Sequence, residues 1–181
     1  REKRRILDHY QFLPTMARII RGHRLAERLT IKLLNLDRRP DRLKTFREAA
    51  LAKAGARFLE RCERFRAVDG ESLVMDDDIR HLFRGNDFNY RRGMIGCALS
   101  HLEIWKEAAK TDDATFLVFE DDVRLTDDFG GQLVEVCGAL AEDHPNFDLV
   151  ILGYQLWEGA EAQQARMEAM AHLSARLSPI A

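Results

Sequence analysis

Long hydrophobic runs are missing from this chain of 181 residues. No apolar stretch approaches the ~20 residues that a membrane-spanning helix needs. The charged start Arg1-Glu2-Lys3-Arg4-Arg5 leads into no apolar signal-peptide segment. The sequence therefore predicts no integral membrane segment and, by default, a cytoplasmic protein. An excess of one charge is also missing: 28 Lys and Arg face 30 Asp and Glu, a net charge of -2. A basic nucleic-acid binder is not indicated. Cysteine is scarce, with Cys62, Cys97 and Cys137 and no CxxC pair. This spacing gives neither a disulfide framework nor a zinc motif and reads as three reduced, mostly buried thiols. Proline and glycine are sparse, with 4 and 11 residues, which argues against a largely disordered chain. No GxGxxG and no GxxxxGK[ST] occur, so the dinucleotide fingerprint and the P-loop are both absent.

What remains is a globular balance, 46% hydrophobic and 32% charged, at a length suited to one domain. Residues 1–29 are arginine-rich and interrupted by Pro14, with a helix expected from about Pro14 to Arg21. This segment reads as a helical lead-in or linker, whose basic groups either lie solvated or touch phosphates or acidic lipids; the latter would give peripheral membrane association. Residues 30–181 read as the main domain.

Thr30 to Leu36 is an apolar run of strand length, followed by a turn and then Pro40 at a helix start. Leu43, Phe46, Ala50 and Ala54 form the stripe of a helix that Gly55 stops. A second strand is expected at Phe65–Val68, then a helix near 76–83 and a loop from Gly85 to Arg92. A long helix is expected from Gly93 to Lys110, with Met94, Ala98, His101 and Trp105 on one face. The most apolar strand candidate, Thr115–Phe119, runs into Glu120-Asp121-Asp122. A helix at Phe129–Ala141, a strand at Phe147–Leu152 and a helix at Ala160–Leu177 complete the expectation. Strands alternating with helices predict an α/β fold with a mainly parallel sheet. In such sheets ligands sit at the carboxyl ends of the strands. Here those ends carry Asn35, Asp37 and Arg38, then Asp69-Gly70, then Glu120-Asp121-Asp122.

Three consecutive carboxylates after a buried strand repel one another unless a cation or a basic group sits among them. Continued strand geometry would point Glu120 and Asp122 to one side, within reach of a single hard ion such as Mg²⁺ or Mn²⁺. The alternative is a solvated turn that caps a helix. Asp76-Asp77-Asp78 and Asp127-Asp128 read as helix starts, where carboxylates complement the dipole. Arg38, Arg39 and Arg42 either hold phosphate or pair with Asp37 and Asp41. Taken alone, His101 reads as a satisfied core histidine and Trp105 as core. Ser100 has no nucleophile-elbow context.

Four blocks in order resemble glycosyltransferase family 25, which includes bacterial lipooligosaccharide and procollagen galactosyltransferases. They are the run from Ile31 to Arg42 (IKLLNLDRRPDR), Phe65 to Gly70 (FRAVDG), Gly93 to His101 (GMIGCALSH) with Trp105-Lys106-Glu107, and Leu117 to Val123 (LVFEDDV). The resemblance covers roughly residues 30–153. It implies a GT-A type, Rossmann-like sheet flanked by helices, a nucleotide-sugar donor, usually UDP-galactose, and Mn²⁺ or Mg²⁺. By the same resemblance Glu120 and Asp122 would meet the metal, with Asp121 between them. Asn35, Leu36, Arg38 and Arg42 would lie near the uridine, Asp69 and Gly70 would close the nucleotide pocket, and Gly96, Ser100 and His101 would line the donor side. Transfer would go with inversion to a glycan or to hydroxylysine in a collagen-like acceptor. Inversion needs one general base, which the sequence does not assign.

In the family the acceptor half follows the strand around Asp148-Leu149-Val150, so that half is expected to be incomplete here. A degenerate domain that binds a nucleotide sugar without turnover is the alternative. A receiver domain also ends a buried strand in acidic residues, but it needs a later lysine, and none follows Lys110. A metal-dependent phosphohydrolase would leave three of the four blocks unexplained.

Overall fold

The computed structural model describes residues 2–86, 88–111 and 114–153. Helices and strands follow in the order α1 (Glu2–Arg28), β1 (Thr30–Asn35), α2 (Pro40–Ala54), α3 (Ala56–Arg61), β2 (Cys62–Arg66), α4 (Asp77–Leu82), a 3₁₀ turn (Phe88–Tyr90), α5 (Arg92–Ala108), β3 (Phe116–Glu120) and α6 (Phe129–Asp143). The chain divides into two compact units, residues 1–145 and 146–181. All of these elements lie in the first.

The sheet has three strands in the order β2-β1-β3, and both pairings are parallel. This is the α/β layering with a parallel sheet that the alternating pattern predicted, and it agrees with the Rossmann-like sheet flanked by helices that the family resemblance implied. β1 is central, and five of its six residues are buried, which is why it reads as an unbroken apolar run rather than as an alternation. Ile31 and Leu33 point into a core shared with Ala26 and Leu29, Phe46 and Ala50 of α2, Phe58 of α3, and Leu133 and Cys137 of α6. Phe119 of β3 stacks within this core against Phe46, Phe58 and Phe129, with ring centroids 5.6–6.1 Å apart. Lys32 faces the other side of the sheet. It is buried, yet its ammonium sits 2.9 Å from Glu63 and 2.6 Å from Glu107 of α5. Burial pulls its pKa down, but the two carboxylates outweigh burial and the net direction is up.

Local signals account for most boundaries. Pro40 occupies the first turn of α2. Gly55 ends it at φ 89°, a conformation that favours glycine, with its N–H donating to Ala50 and Leu51. Asp76 caps α4 by accepting from the N–H of Ile79 at 2.9 Å.

The structure corrects the sequence reading at several elements. The helix expected over residues 14–21 is the single long helix α1, which runs through Pro14. Its C-terminal half packs on α6 so closely that a Cβ at Gly22 would collide with the carbonyl oxygen of Val134. β2 begins three residues before its expected start. α3 has only six residues, too few to show a periodic stripe, and was not expected at all. The buried face of α5 is Ile95, Gly96, Ser100 and Ile104. Met94 and Trp105 lie outside, Trp105 with 58% of its surface exposed. Small residues set that face because they let α5 approach the segment after β2.

The apolar run Phe147–Leu152 forms no strand among the described residues. A strand exists only through the ladder it shares with a neighbour; this run makes none, and Leu149 is 74% exposed. The helix expected at Ala160–Leu177 lies outside the described residues.

Candidate functional site

Parallel strands bring their carboxyl ends to one edge. β1 ends at Asn35 and β3 at Glu120, and Asn35 pairs in register with Arg66, the end of β2. Asn35 is the hub of this edge and is 1% exposed. Its Nδ2 donates to the carbonyl of Arg39 at 2.9 Å and to Asp121 Oδ2 at 2.7 Å. Its Oδ1 accepts from Nε of Arg64 at 2.9 Å. One amide thus ties together β1, β2, the turn that follows β3 and the turn into α2.

Around the hub, Arg42 Nη1 donates to Asp121 and Asp122, each at 3.1 Å. Arg38 donates to Asp69 at 2.7 Å and pairs with Glu71 at 3.0 Å. Arg38 holds the Asp69 carboxyl below its ordinary range. Arg39 pairs with Asp41 and lowers that carboxyl to about 2. Arg64 and Arg66 share Asp37. Leu36 is half-buried, and its carbonyl accepts from the Arg39 N–H at 2.9 Å to close the turn.

Gly70, Gly96 and Ser100 form a packing group. Ser100 is buried; its hydroxyl donates to the Gly96 carbonyl at 2.7 Å and accepts from the Val68 N–H at 2.8 Å. A Cβ at Gly96 would lie 2.6 Å from the Val68 carbonyl oxygen, and one at Gly70 would collide with the Arg92 carbonyl. These residues seat the segment that carries Asp69 against α5.

The acidic triplet splits. Asp121 and Asp122 belong to a turn in which the Val123 N–H donates to the Glu120 carbonyl at 3.2 Å, so the alternation of a strand stops at Glu120. Asp121 and Asp122 meet Arg42, whereas Glu120 meets α5. There its Oε1 is 3.2 Å from His101 Nε2 and 3.6 Å from Cys97 Sγ. His101 is therefore not an isolated core histidine; its ring is half-buried against a thiol and a carboxylate, 6.3 Å from the Trp105 ring. Sequence reasoning missed Arg64, whose only signal is the pair of basic residues in β2, and Cys97, whose signal is its i,i+4 spacing from His101.

The Cys97 sulfur and then the Glu120 carboxylate push His101 up to about 9, and His101 in turn lowers Glu120. The imidazolium therefore contributes its stability in full below its ordinary value of 6.5, and the contribution is lost as pH rises through about 9. Glu120 contributes above its ordinary 4.5 and loses that contribution as pH falls. Between pH 6.5 and 9 the thermal midpoint of the metal-free chain should fall more steeply in wild type than in His101→Gln. Equal slopes would show that the pair adds nothing to stability.

The parallel sheet flanked by helices defines an α/β protein of Rossmann-like type, a class in which ligands bind at the carboxyl edge where these charged and amide groups gather. The profile of "Glycosyltransferase family 25 (LPS biosynthesis protein)" matches residues 29–179, and the chain belongs to that family. It is similar to a protein of Acanthamoeba polyphaga mimivirus named "Putative glycosyltransferase R655", 35% identical over 129 residues, or 70% of this chain and 38% of that protein. Human procollagen galactosyltransferase 2 is 32% identical over 74 residues, 41% of this chain and 12% of its own length. Human "Inactive glycosyltransferase 25 family member 3" is 40% identical over 62 residues, 34% of this chain and 10% of its own length. The chain thus spans well under half the length of these curated relatives. No solved structure matches significantly. Among the described residues no helix is long and apolar enough to cross a membrane.

Proposed function

We propose that the chain transfers a hexose, galactose from UDP-galactose, to a glycan or to hydroxylysine of a collagen-like acceptor, with inversion and with the help of Mn²⁺ or Mg²⁺. The observation that carries this reading is the exposed Asp122 carboxylate at the strand-end edge, paired with Arg42 at 3.1 Å. Asp122 offers carboxylate oxygens of the kind a hard cation takes, and 59% of its side chain is exposed. Glu120, which the family resemblance assigns to the same ion, is turned toward His101 and Cys97 and would have to swing away from them to join it. Bound there, the ion would act as a Lewis acid that neutralises the leaving diphosphate. Arg38 and Arg42 supply guanidinium groups at the same edge, suited to phosphate oxygens. Asn35, buried and fully engaged, holds Asp121 and the turn in place. The human galactosyltransferase relative supports galactose as the sugar.

Calorimetric titration of UDP-galactose, with and without Mn²⁺, tests this. Binding should require Mn²⁺ and weaken at least ~10-fold in Asp122→Ala, a loss of about 1.4 kcal/mol. The fold should survive, because this side chain is exposed. Equal affinity in both proteins, or no binding under either condition, would sink the proposal. A second reading, binding without turnover, draws on the relatives named inactive. Metal-dependent binding without release of UDP in the presence of acceptor would select it.

A further inference from the structure

We propose that Cys97, His101 and Glu120 form a site for a thiophilic divalent cation of the zinc class. Cys97 and His101 are one helical turn apart on α5 and so stand on the same face. Glu120 is the last residue of β3, held in register opposite Leu34 of β1. The side chains thus project from a long helix and a paired strand, not from loops. One ligand atom from each residue lies within 4.8 Å of the other two.

Tetrahedral zinc, with bonds of about 2.3 Å to sulfur and about 2.0–2.2 Å to nitrogen and oxygen, separates its ligands by roughly 3.3–3.6 Å. The observed S···O distance is 3.6 Å and the N···O distance is 3.2 Å. Two of the three separations thus already match those of a tetrahedral site, and the third, from sulfur to nitrogen, lies within 4.8 Å.

Thiolate, imidazole and carboxylate together select a borderline-soft ion over Mg²⁺, which prefers oxygen donors alone. The half-buried ring and the more exposed carboxylate leave a path from solvent and an open fourth position. On binding, the thiol and the imidazolium each give up a proton to solvent, so that the ion meets a thiolate, a neutral imidazole and a carboxylate.

The site shares Glu120 with the hard-cation site of the proposed function. Where that reading also holds, one equivalent of Zn²⁺ should weaken Mn²⁺-dependent UDP-galactose binding, and Cys97→Ser should abolish the effect. The test of the site itself uses metal and full chain without donor, so its failure is distinct from failure of the transferase reading.

Titration with Co²⁺ should give a thiolate-to-metal charge-transfer absorption that saturates at one equivalent, is displaced by Zn²⁺ and is untouched by Mg²⁺. Cys97→Ser should remove the band, and His101→Gln should weaken binding at least ~10-fold. A readout on the wild type alone guards against variants that fail to fold. Zn²⁺ should protect Cys97 from alkylation and leave the modification of Cys62 unchanged, as followed by peptide mass. Absence of the charge-transfer band at saturating Co²⁺, or equal protection of Cys62 and Cys97, would overturn the proposal.

Discussion

Replacing Asn35 with alanine is expected to lower the unfolding free energy by about 3 kcal/mol, because it leaves charged partners unsatisfied at the edge of the sheet. Asp121 would lose a donor at 2.7 Å, Arg64 an acceptor at 2.9 Å, and the Arg39 carbonyl its donor at 2.9 Å. Each buried group left without a partner costs about 1–3 kcal/mol, and more where it is charged. Part of the loss is recovered, because Asp121 keeps Arg42 and Arg64 keeps the Asn35 backbone carbonyl. Urea unfolding should show the midpoint falling with the slope unchanged. Asn35→Asp has the same shape, but it would set a second carboxylate against Asp121 and should be at least as damaging at pH 7. It should recover as pH falls, since a protonated carboxyl can donate where Nδ2 did. If Asn35→Ala stays within about 0.5 kcal/mol of wild type, where ordinary surface substitutions fall, the amide is not the hub described above.

The sequence made the scaffold more legible than the connections across it. β1 and α2 stand out because an apolar run, Pro40 and Gly55 are local signals, and the helix starts at Asp76 and Phe129 are marked by acidic residues. α3 carries no such signal in six residues, and Phe147–Leu152 shows that an apolar run is necessary for a strand but not sufficient.

At the site, the convergence of Asn35, Arg38, Asp69 and the acidic triplet on one edge follows from parallel topology and was predictable. Which side chain meets which was not. Arg64 reaches Asn35 across 29 positions of sequence, and Asp121 reaches it across 86. Glu120 and Asp122 diverge because the strand stops between them, a boundary that side-chain chemistry does not encode. Cys97 was read as inert because cysteine counting looks for pairs of cysteines, whereas its partners are a histidine one turn away and a carboxylate on another element.

Gly96→Ala is expected to destabilise the fold by about 2 kcal/mol although it improves helix propensity. Alanine in a helix interior gains up to about 1 kcal/mol over glycine. Against this, the new methyl would lie 2.6 Å from the Val68 carbonyl oxygen and 2.8 Å from the Gly70 nitrogen. Both are backbone atoms and cannot rotate away, and forcing groups apart in a packed interior costs about 1–3 kcal/mol. The net cost sits at the upper end because the displaced segment also holds the Val68 N–H to the Ser100 hydroxyl at 2.8 Å.

Gly93, three residues earlier in α5, is the internal control: a Cβ there meets nothing within 4 Å. Gly93→Ala should therefore be neutral or stabilising by a few tenths of a kcal/mol, the gain being partial near a helix start. Equilibrium unfolding of the two variants separates propensity from packing, since only packing differs in sign between them. The effect should extend to the ligand edge, because moving residues 68–70 off α5 also moves Asp69, whose carboxylate pairs with Arg38 at 2.7 Å. A double-mutant cycle between Gly96→Ala and Arg38→Ala should accordingly show coupling beyond the ~0.5 kcal/mol typical of independent sites. Additive effects would show that α5 packing and the strand-end charges are built independently.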